Sequence, residues 1–180
     1  MERLKLATMW LSGCSGCHMS FLDLDEFLID LTALVDVVYT PLVDTKVFPE
    51  QVDVTLLEGA VANVDNLKFV KMVRQRTKIL VSFGDCAITG NVTALRDPLG
   101  GPQVVLQRSY SDNGDLNAQI PTFPGVLPQL LDRVLPVHAV VPVDYYIPGC
   151  PPPAPRIREV LESLVNQHAA YLSGADLKFG

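Results

Sequence analysis

Short apolar runs that end at small-residue turns recur along this sequence, and they constrain the fold more than any other feature. Four such runs cover residues 4–10, 53–57, 78–83 and 142–146, and a β-branched run covers 35–40. Runs of this length that are bounded by turn residues predict β-strands. Helix-like segments separate them, so the sequence predicts an α/β fold with a doubly wound, mainly parallel sheet of five strands.

The segments between the predicted strands favour helices, with one exception. The predicted helices cover residues 19–31, 63–76, 125–135 and 154–171. Ser20 and Asn63 are the expected N-caps of the first two helices. Residues 97–128 are instead rich in Pro, Gly, Asn, Ser and Asp, which predicts a long loop with a functional or interface role. The chain 1–180 is expected to form one domain around the sheet.

The composition favours a protein without membrane insertion that buries part of its apolar surface against a partner. Hydrophobic residues make up 48% of the chain and charged residues 19%, and the mean hydropathy is +0.25. Yet no apolar run approaches the roughly 18 residues that span a bilayer. The net charge of −6 argues against a nucleic-acid partner. The first residues lack the layout of a signal peptide, so a cytoplasmic location is expected.

All four cysteines lie in glycine-containing turns that follow predicted strands. Cys14 and Cys17 form a Cys-x-x-Cys pair after the first strand, Cys86 follows the fourth strand, and Cys150 follows the fifth. In a doubly wound sheet, the loops at the carboxyl ends of the strands meet at one edge. We therefore expect the four thiols to lie together. Asp85, beside Cys86, is expected to orient its loop by local hydrogen bonding.

Four convergent thiolates suit either a cubane [4Fe–4S] cluster or a tetrahedral zinc ion. Structural zinc sites usually use two closely spaced pairs, whereas here one pair is joined by two isolated cysteines. This arrangement favours a cluster with Cys14, Cys17, Cys86 and Cys150 as its ligands. A zinc site remains an alternative, and so does a redox dithiol of Cys14 and Cys17 alone.

Three further side chains near these motifs are candidates for a supporting role. Glu58 follows the third strand, where its carboxylate could accept hydrogen bonds from backbone amides near the cluster, join a proton path, or cap its loop. Trp10 could pack over the cluster, against a partner or in the core. His18 could shield the cluster or contact a partner. No role is assigned to His138 or His168.

The cysteine motifs resemble those of the small subunit of [NiFe] hydrogenases. The matching stretches run from Trp10-Leu-Ser-Gly-Cys14-Ser-Gly-Cys17 through Leu57-Glu58-Gly59-Ala60 and Gly84-Asp85-Cys86-Ala87 to Pro148-Gly149-Cys150-Pro151-Pro152. The 20 kDa subunit of respiratory complex I is related, but it has adjacent cysteines in the first motif. The spaced Cys14/Cys17 pair therefore favours the hydrogenase.

Within this family, the chain is similar to the cytoplasmic, bidirectional NAD-reducing hydrogenases. Only 30 residues follow Cys150 and none is a cysteine, so the chain is expected to lack the carboxyl-terminal cluster region of the periplasmic members. It also shows no twin-arginine export signal, and His18 stands where the periplasmic type usually has glutamate. The resemblance implies a flavodoxin-like version of the doubly wound sheet.

The resemblance implies an electron-transfer subunit that is not a catalyst by itself. The nickel–iron centre would lie in a separate large subunit, and this chain would supply the proximal [4Fe–4S] cluster. Electrons would then pass to a flavin and iron–sulfur diaphorase module that reduces NAD+. Some members of this group are thought to hold a second flavin (FMN), which the sequence does not establish here. The alternatives are a hydrogenase subunit that serves another acceptor, such as a deazaflavin or a ferredoxin, and a zinc-stabilised binding module.

Overall fold

A five-stranded parallel sheet forms the centre of the molecule in the computed structural model, which describes residues 3–166, 168 and 172–179. Its strands are β1 (Leu4–Trp10), β2 (Val35–Tyr39), β3 (Val52–Glu58), β5 (Thr77–Phe83) and β7 (Tyr145–Ile147), in the order β2-β1-β3-β5-β7. A separate antiparallel pair joins β4 (Val61–Asn63) to β6 (Leu130–Leu135). The five-stranded order is that of a flavodoxin-like, doubly wound sheet, so the predicted fold class is confirmed.

Helices connect the strands and cover the sheet. The α-helices of the described part are α1 (Gly16–Leu22), α2 (Phe27–Leu34), α3 (Val64–Arg76), α4 (Asp85–Thr89), α5 (Asn91–Ala94), α6 (Pro102–Leu106) and α7 (Ala154–Val165). Short 3-10 turns lie at Asp97–Leu99, Val137–Ala139 and Gly174–Leu177, and a π-helical turn at Gln107–Asp112. Within the described residues, no helix has the length and apolar content that crossing a membrane requires.

The core has one layer on each face of the sheet. Neighbouring residues of β3 point to opposite faces, as strand geometry requires, so Leu56 and Leu57 belong to different layers. Leu56 packs in the layer that α2 and α7 cover, with Phe83 from β5. Leu57 packs in the layer beneath α3, with Val70. Burial on both faces explains why these strands read as continuous apolar runs.

The predicted helix at 19–31 is in fact two helices, α1 and α2. The first ends at Leu22, and Asp25 adopts a left-handed backbone with φ of 50°, which an α-helix does not accommodate. Ser20 is not an N-cap, because α1 begins at Gly16 and the Ser20 hydroxyl donates to the Pro152 carbonyl. The predicted cap at Asn63 is confirmed: its side chain accepts a hydrogen bond from the Asn66 amide at 2.8 Å.

The predicted helix at 125–135 is wrong, because residues 130–135 form strand β6. A short apolar segment fits either structure by its pattern, and here β4 supplies the pairing partner that decides for the strand. The Asp97 carboxylate also accepts from the Val134 amide at 3.0 Å. The predicted loop at 97–128 contains α6 and two short helical turns, while residues 113–129 have no helix or strand. The predicted helix at 154–171 ends at Val165, and its positions 167 and 169–171 lie outside the described residues.

Candidate metal centre

The four cysteines lie on three segments that leave the carboxyl ends of β1, β5 and β7. Cys14 is exposed on the turn after β1, and Cys17 is buried in the first turn of α1. Cys86 is buried near the start of α4, directly after β5. Cys150 is exposed after β7 and precedes Pro151 through a cis peptide bond. Because β1, β3, β5 and β7 are consecutive in the sheet, these segments meet at one edge.

Backbone hydrogen bonds hold the Cys86 segment against the Cys150 segment. The Gly84 amide donates to the Ile147 carbonyl at 2.8 Å, and the Asp85 amide donates to the Gly149 carbonyl at 3.0 Å. In return, the Gly149 amide donates to the Asp85 carboxylate at 2.6 Å. Asp85 is buried, so these bonds are shielded from water and fix the two turns relative to each other. The Asp85 side chain was predicted to orient its own loop by local hydrogen bonding, whereas the bond seen here joins it to the Cys150 turn, 64 residues away.

Hydrogen bonds from three other segments of the chain hold the turn that carries Cys14. Ser12 and Ala60 exchange two backbone hydrogen bonds, at 3.0 and 2.7 Å. The Ser12 carbonyl also accepts from the Thr93 hydroxyl at 3.0 Å, and the Ser12 hydroxyl donates to the Asn66 side chain at 2.9 Å. The end of β3, α5 and the start of α3 therefore all support this turn.

Gly84 leaves the space that the Cys17 thiol occupies. A Cβ atom built on Gly84 would lie 2.1 Å from Cys17 Sγ, which is well inside any real contact distance. The residue also has φ of 82° and ψ of 163°, a backbone conformation that is open almost only to glycine. The glycine therefore lets the α1 cysteine approach the backbone just ahead of Cys86.

Burial and neighbouring negative charge both disfavour the thiolate form of the two buried cysteines, Cys17 and Cys86. Burial raises the pKa of the Cys17 thiol strongly, and negative charge on Glu58 and on the other three cysteines raises it further. Burial likewise raises the pKa of Cys86, with added contributions from Cys14 and Cys150. A metal group binds thiolates, so its binding at these positions would displace protons from Cys17 and Cys86.

The donor set fits a soft metal group. All four cysteines are free and lie on segments at one edge of the sheet, and thiolates are the ligands that iron–sulfur groups and zinc share. Gly84 has no side chain, so the space beside the Cys17 thiol stays open. Across residues 3–166, 168 and 172–179, no three His, Cys, Asp or Glu side chains are grouped so that they could hold a single metal ion.

The buried side chains of Glu58 and His18 form a cluster with the half-buried Trp10 beside the Cys17 segment. The Glu58 carboxylate accepts from the His18 backbone amide at 3.1 Å and contacts Nδ1 of the same residue. The Trp10 ring meets the His18 ring edge-on, with centroids 5.2 Å apart, and Phe83 lies on another side. Glu58 therefore accepts a hydrogen bond from the backbone amide that follows Cys17, which is one of the roles predicted for it. His18 is 3% exposed, so the chain itself buries it.

Replacing Glu58 with alanine is expected to lower the free energy of unfolding by about 3 kcal/mol, because the buried His18 amide and ring would lose their partner. Glu58→Gln keeps an acceptor oxygen for the amide and should lose less than half as much. Urea denaturation of the two variants measures the difference. A Glu58→Ala variant within about 0.5 kcal/mol of the native chain would show that the pair does not stabilise the fold.

The remaining two histidines lie at the surface. His138 is exposed and stacks edge-on against Tyr146, and His168 is exposed. Sequence reasoning missed the contributions of Ser20 and Thr93. Each side chain donates to a backbone carbonyl of a segment distant in sequence, and no local pattern signals such a contact.

Comparison with known proteins identifies the family of the chain. Residues 14–164 match the family described as NADH ubiquinone oxidoreductase, 20 Kd subunit. The chain is 37% identical over 168 residues to the delta subunit of the NAD-reducing hydrogenase HoxS of Cupriavidus necator, covering 91% of this chain and 79% of that protein. It is 35% identical over 184 residues to a subunit of the F420-non-reducing hydrogenase of Methanothermobacter marburgensis, covering 98% of this chain but only 58% of that protein.

A solved structure agrees with these relatives. One chain of an NAD+-reducing [NiFe]-hydrogenase in the H2-reduced state superimposes with a TM-score of 0.94 and 36% identity, covering 99% of this chain and 100% of that chain. The protein therefore belongs to the family of the 20 kDa subunit of NADH–ubiquinone oxidoreductase and is a homologue of the small subunit of NAD-reducing [NiFe] hydrogenase.

Proposed function

We propose that this chain is the electron-transfer subunit of a cytoplasmic, NAD-reducing [NiFe] hydrogenase. The convergence of the four cysteine segments at one edge of the sheet carries the proposal, since a relay needs one bound redox centre near the surface. Cys14, Cys17, Cys86 and Cys150 would hold a [4Fe–4S] cluster. Such a cluster accepts and releases one electron at a time. The chain's own residues supply the ligands and the buried surroundings that set its potential.

The chain supplies no nickel site of its own under this proposal. Its four cysteines are all assigned to the cluster, and no cysteine remains to ligate nickel. The hydrogen-splitting centre would therefore lie in a large partner subunit. A flavin and iron–sulfur diaphorase module would receive the electrons and reduce NAD+. The similarity to an NAD+-reducing hydrogenase chain over nearly its whole length supports this partner set.

A second candidate is a hydrogenase subunit that serves another acceptor. Its support is the 35% identity to a protein named for not reducing F420, a level close to the 37% identity to the NAD-reducing relative. Hydrogen-dependent reduction of NAD+, of a ferredoxin and of a deazaflavin by the purified complex separates the candidates. We expect NAD+ to be reduced. Reduction of ferredoxin alone would favour the second candidate.

The large subunit is proposed to dock on residues 97–128. This segment exposes several large apolar side chains, among them Leu99, Leu116, Phe123 and Val126. Phe123 also lines a groove of about 990 Å³, together with Tyr110 and Leu127. A stable interface would cover such a surface, because isolated soluble proteins rarely leave large apolar patches in water.

Binding of the large subunit is expected to slow amide hydrogen exchange across residues 97–128, because docking removes their backbone from water. Mass spectrometry of the chain alone and of the two-subunit complex measures the change. The exposed loop at 40–47 provides an internal reference outside this segment. Equal exchange at 97–128 in both samples would place the large subunit elsewhere.

A further inference from the structure

One flank of the sheet carries most of the chain's excess negative charge, since its six carboxylates are accompanied by a single base, Lys46. This β2 flank consists of the exposed side chains of residues 22–47, from the end of α1 through α2 and β2 to the following loop. Residues 20–45 contain no lysine or arginine and six carboxylates, which are Asp23, Asp25, Glu26, Asp30, Asp36 and Asp44. Their sum of −6 equals the formal charge of the whole chain, so the other residues balance at fourteen acids and fourteen bases.

The carboxylates of the β2 flank face water and are largely unneutralised. All six residues are exposed. Asp36 pairs with Arg3 at 3.1 Å, and within the described residues no other salt bridge reaches the six. Like charges at this density raise the energy of the isolated surface, and a cationic partner would lower it.

Large apolar side chains are exposed among these carboxylates. Ile29 of α2 is 71% exposed, and Leu42 and Val47 after β2 are 61% and 74% exposed. Strand β2 is also the outermost strand of the sheet, so one of its edges pairs with no other strand in the described part of the chain. Exposed apolar side chains that alternate with carboxylates along an open sheet edge are typical of a protein interface.

The β2 flank differs chemically from the segment proposed to bind the large subunit. Residues 97–128 expose mainly apolar side chains, and they contain only three acids and one base. A permanent interface is typically apolar, whereas an acidic surface steers and selects a partner that carries the opposite charge. A second copy of this chain is a poor occupant, because a symmetric contact would set the acidic flank against itself.

We propose that the β2 flank docks the electron-accepting protein module, which would present apolar side chains among lysine and arginine. This inference rests on the proposed function. The position of the flank suits electron transfer. Helix α1 begins at the Cys17 segment and ends at Leu22, where the flank begins, so one short helix separates the flank from the cysteine segments. Electrons would leave the cluster on the side of the chain where the β2 flank holds the acceptor.

The test uses the hydrogenase half (this chain with its large subunit) and the purified acceptor module. Asp30→Lys reverses a charge in the first turn of α2, and Asp65→Lys makes the same change in the first turn of α3. We expect Asp30→Lys to raise the dissociation constant of the acceptor module about tenfold at low salt, with less effect at high salt. Asp65→Lys should leave this constant unchanged. Ile29→Ala, which keeps every charge, should raise it by about tenfold at both salt concentrations.

Hydrogen-dependent reduction of a viologen dye by the hydrogenase half distinguishes a failure of docking from a failure of function. The docking proposal requires that Asp30→Lys retain the large subunit and native dye reduction. Equal acceptor affinity for Asp30→Lys and Asp65→Lys would overturn it, and so would loss of the large subunit from Asp30→Lys. If the native half lacks dye reduction altogether, the proposed function itself is refuted, and the docking proposal with it.

Discussion

Replacing Gly84 with alanine is expected to lower the iron and sulfide content severely and to destabilise the chain by roughly 3 kcal/mol. The added Cβ would lie 2.1 Å from Cys17 Sγ, so either the α1 segment or the Cys86 turn must move. The positive φ adds strain that an L-residue does not relieve. Both effects act at the point where two proposed ligands approach each other.

Gly125→Ala provides the matched control for this variant. Gly125 has φ of 81°, close to the 82° of Gly84, but an added Cβ would meet no atom within 4 Å. We expect it to cost about 1 kcal/mol of stability and to retain the metal content. Thermal unfolding and iron analysis of the two variants separate backbone strain from the clash with Cys17. Equal behaviour of the two variants would show that the space beside Gly84 is not needed.

The Cys86→Ser variant is expected to lose or convert the cluster and to abolish hydrogen-dependent NAD+ reduction in the assembled complex. Serine keeps the shape of the side chain but removes the thiolate that iron–sulfur clusters require. Thr89→Ser, an exposed change in the same helix, should leave both properties intact. Electron paramagnetic resonance of the reduced complex, together with the activity, measures the loss. Native cluster signals and native activity in Cys86→Ser would remove Cys86 from the proposed ligand set.

The strands of the main sheet could be predicted because their apolar runs are long enough to stand out and each ends at a turn. Cys86 and Cys150 each follow such a run, so their place at the carboxyl edge followed from topology alone. The confirmed cap at Asn63 is a similar case, because its partner Asn66 lies only three residues away. Local signals were sufficient for all of these features.

Features that depend on contacts between segments distant in sequence could not be predicted from local sequence patterns. Strand β6 was mistaken for a helix because its pairing partner β4 lies almost seventy positions earlier, and a short apolar segment fits both structures. The break between α1 and α2 depends on a left-handed Asp25, which no apolar spacing reveals. The role of Gly84 depends on where a thiol from another helix lies. Each of these three features becomes visible only when the folded chain brings distant segments together.

Iron, zinc and acid-labile sulfide per chain, measured on protein purified without oxygen, test the central proposal most directly. The proposed cubane requires about four iron and four sulfide per chain, held by four cysteines. The Gly84→Ala and Cys86→Ser variants should then both fall well below this content, while Gly125→Ala should match the native chain. About one zinc per chain without sulfide would contradict the proposal and indicate a structural zinc site instead.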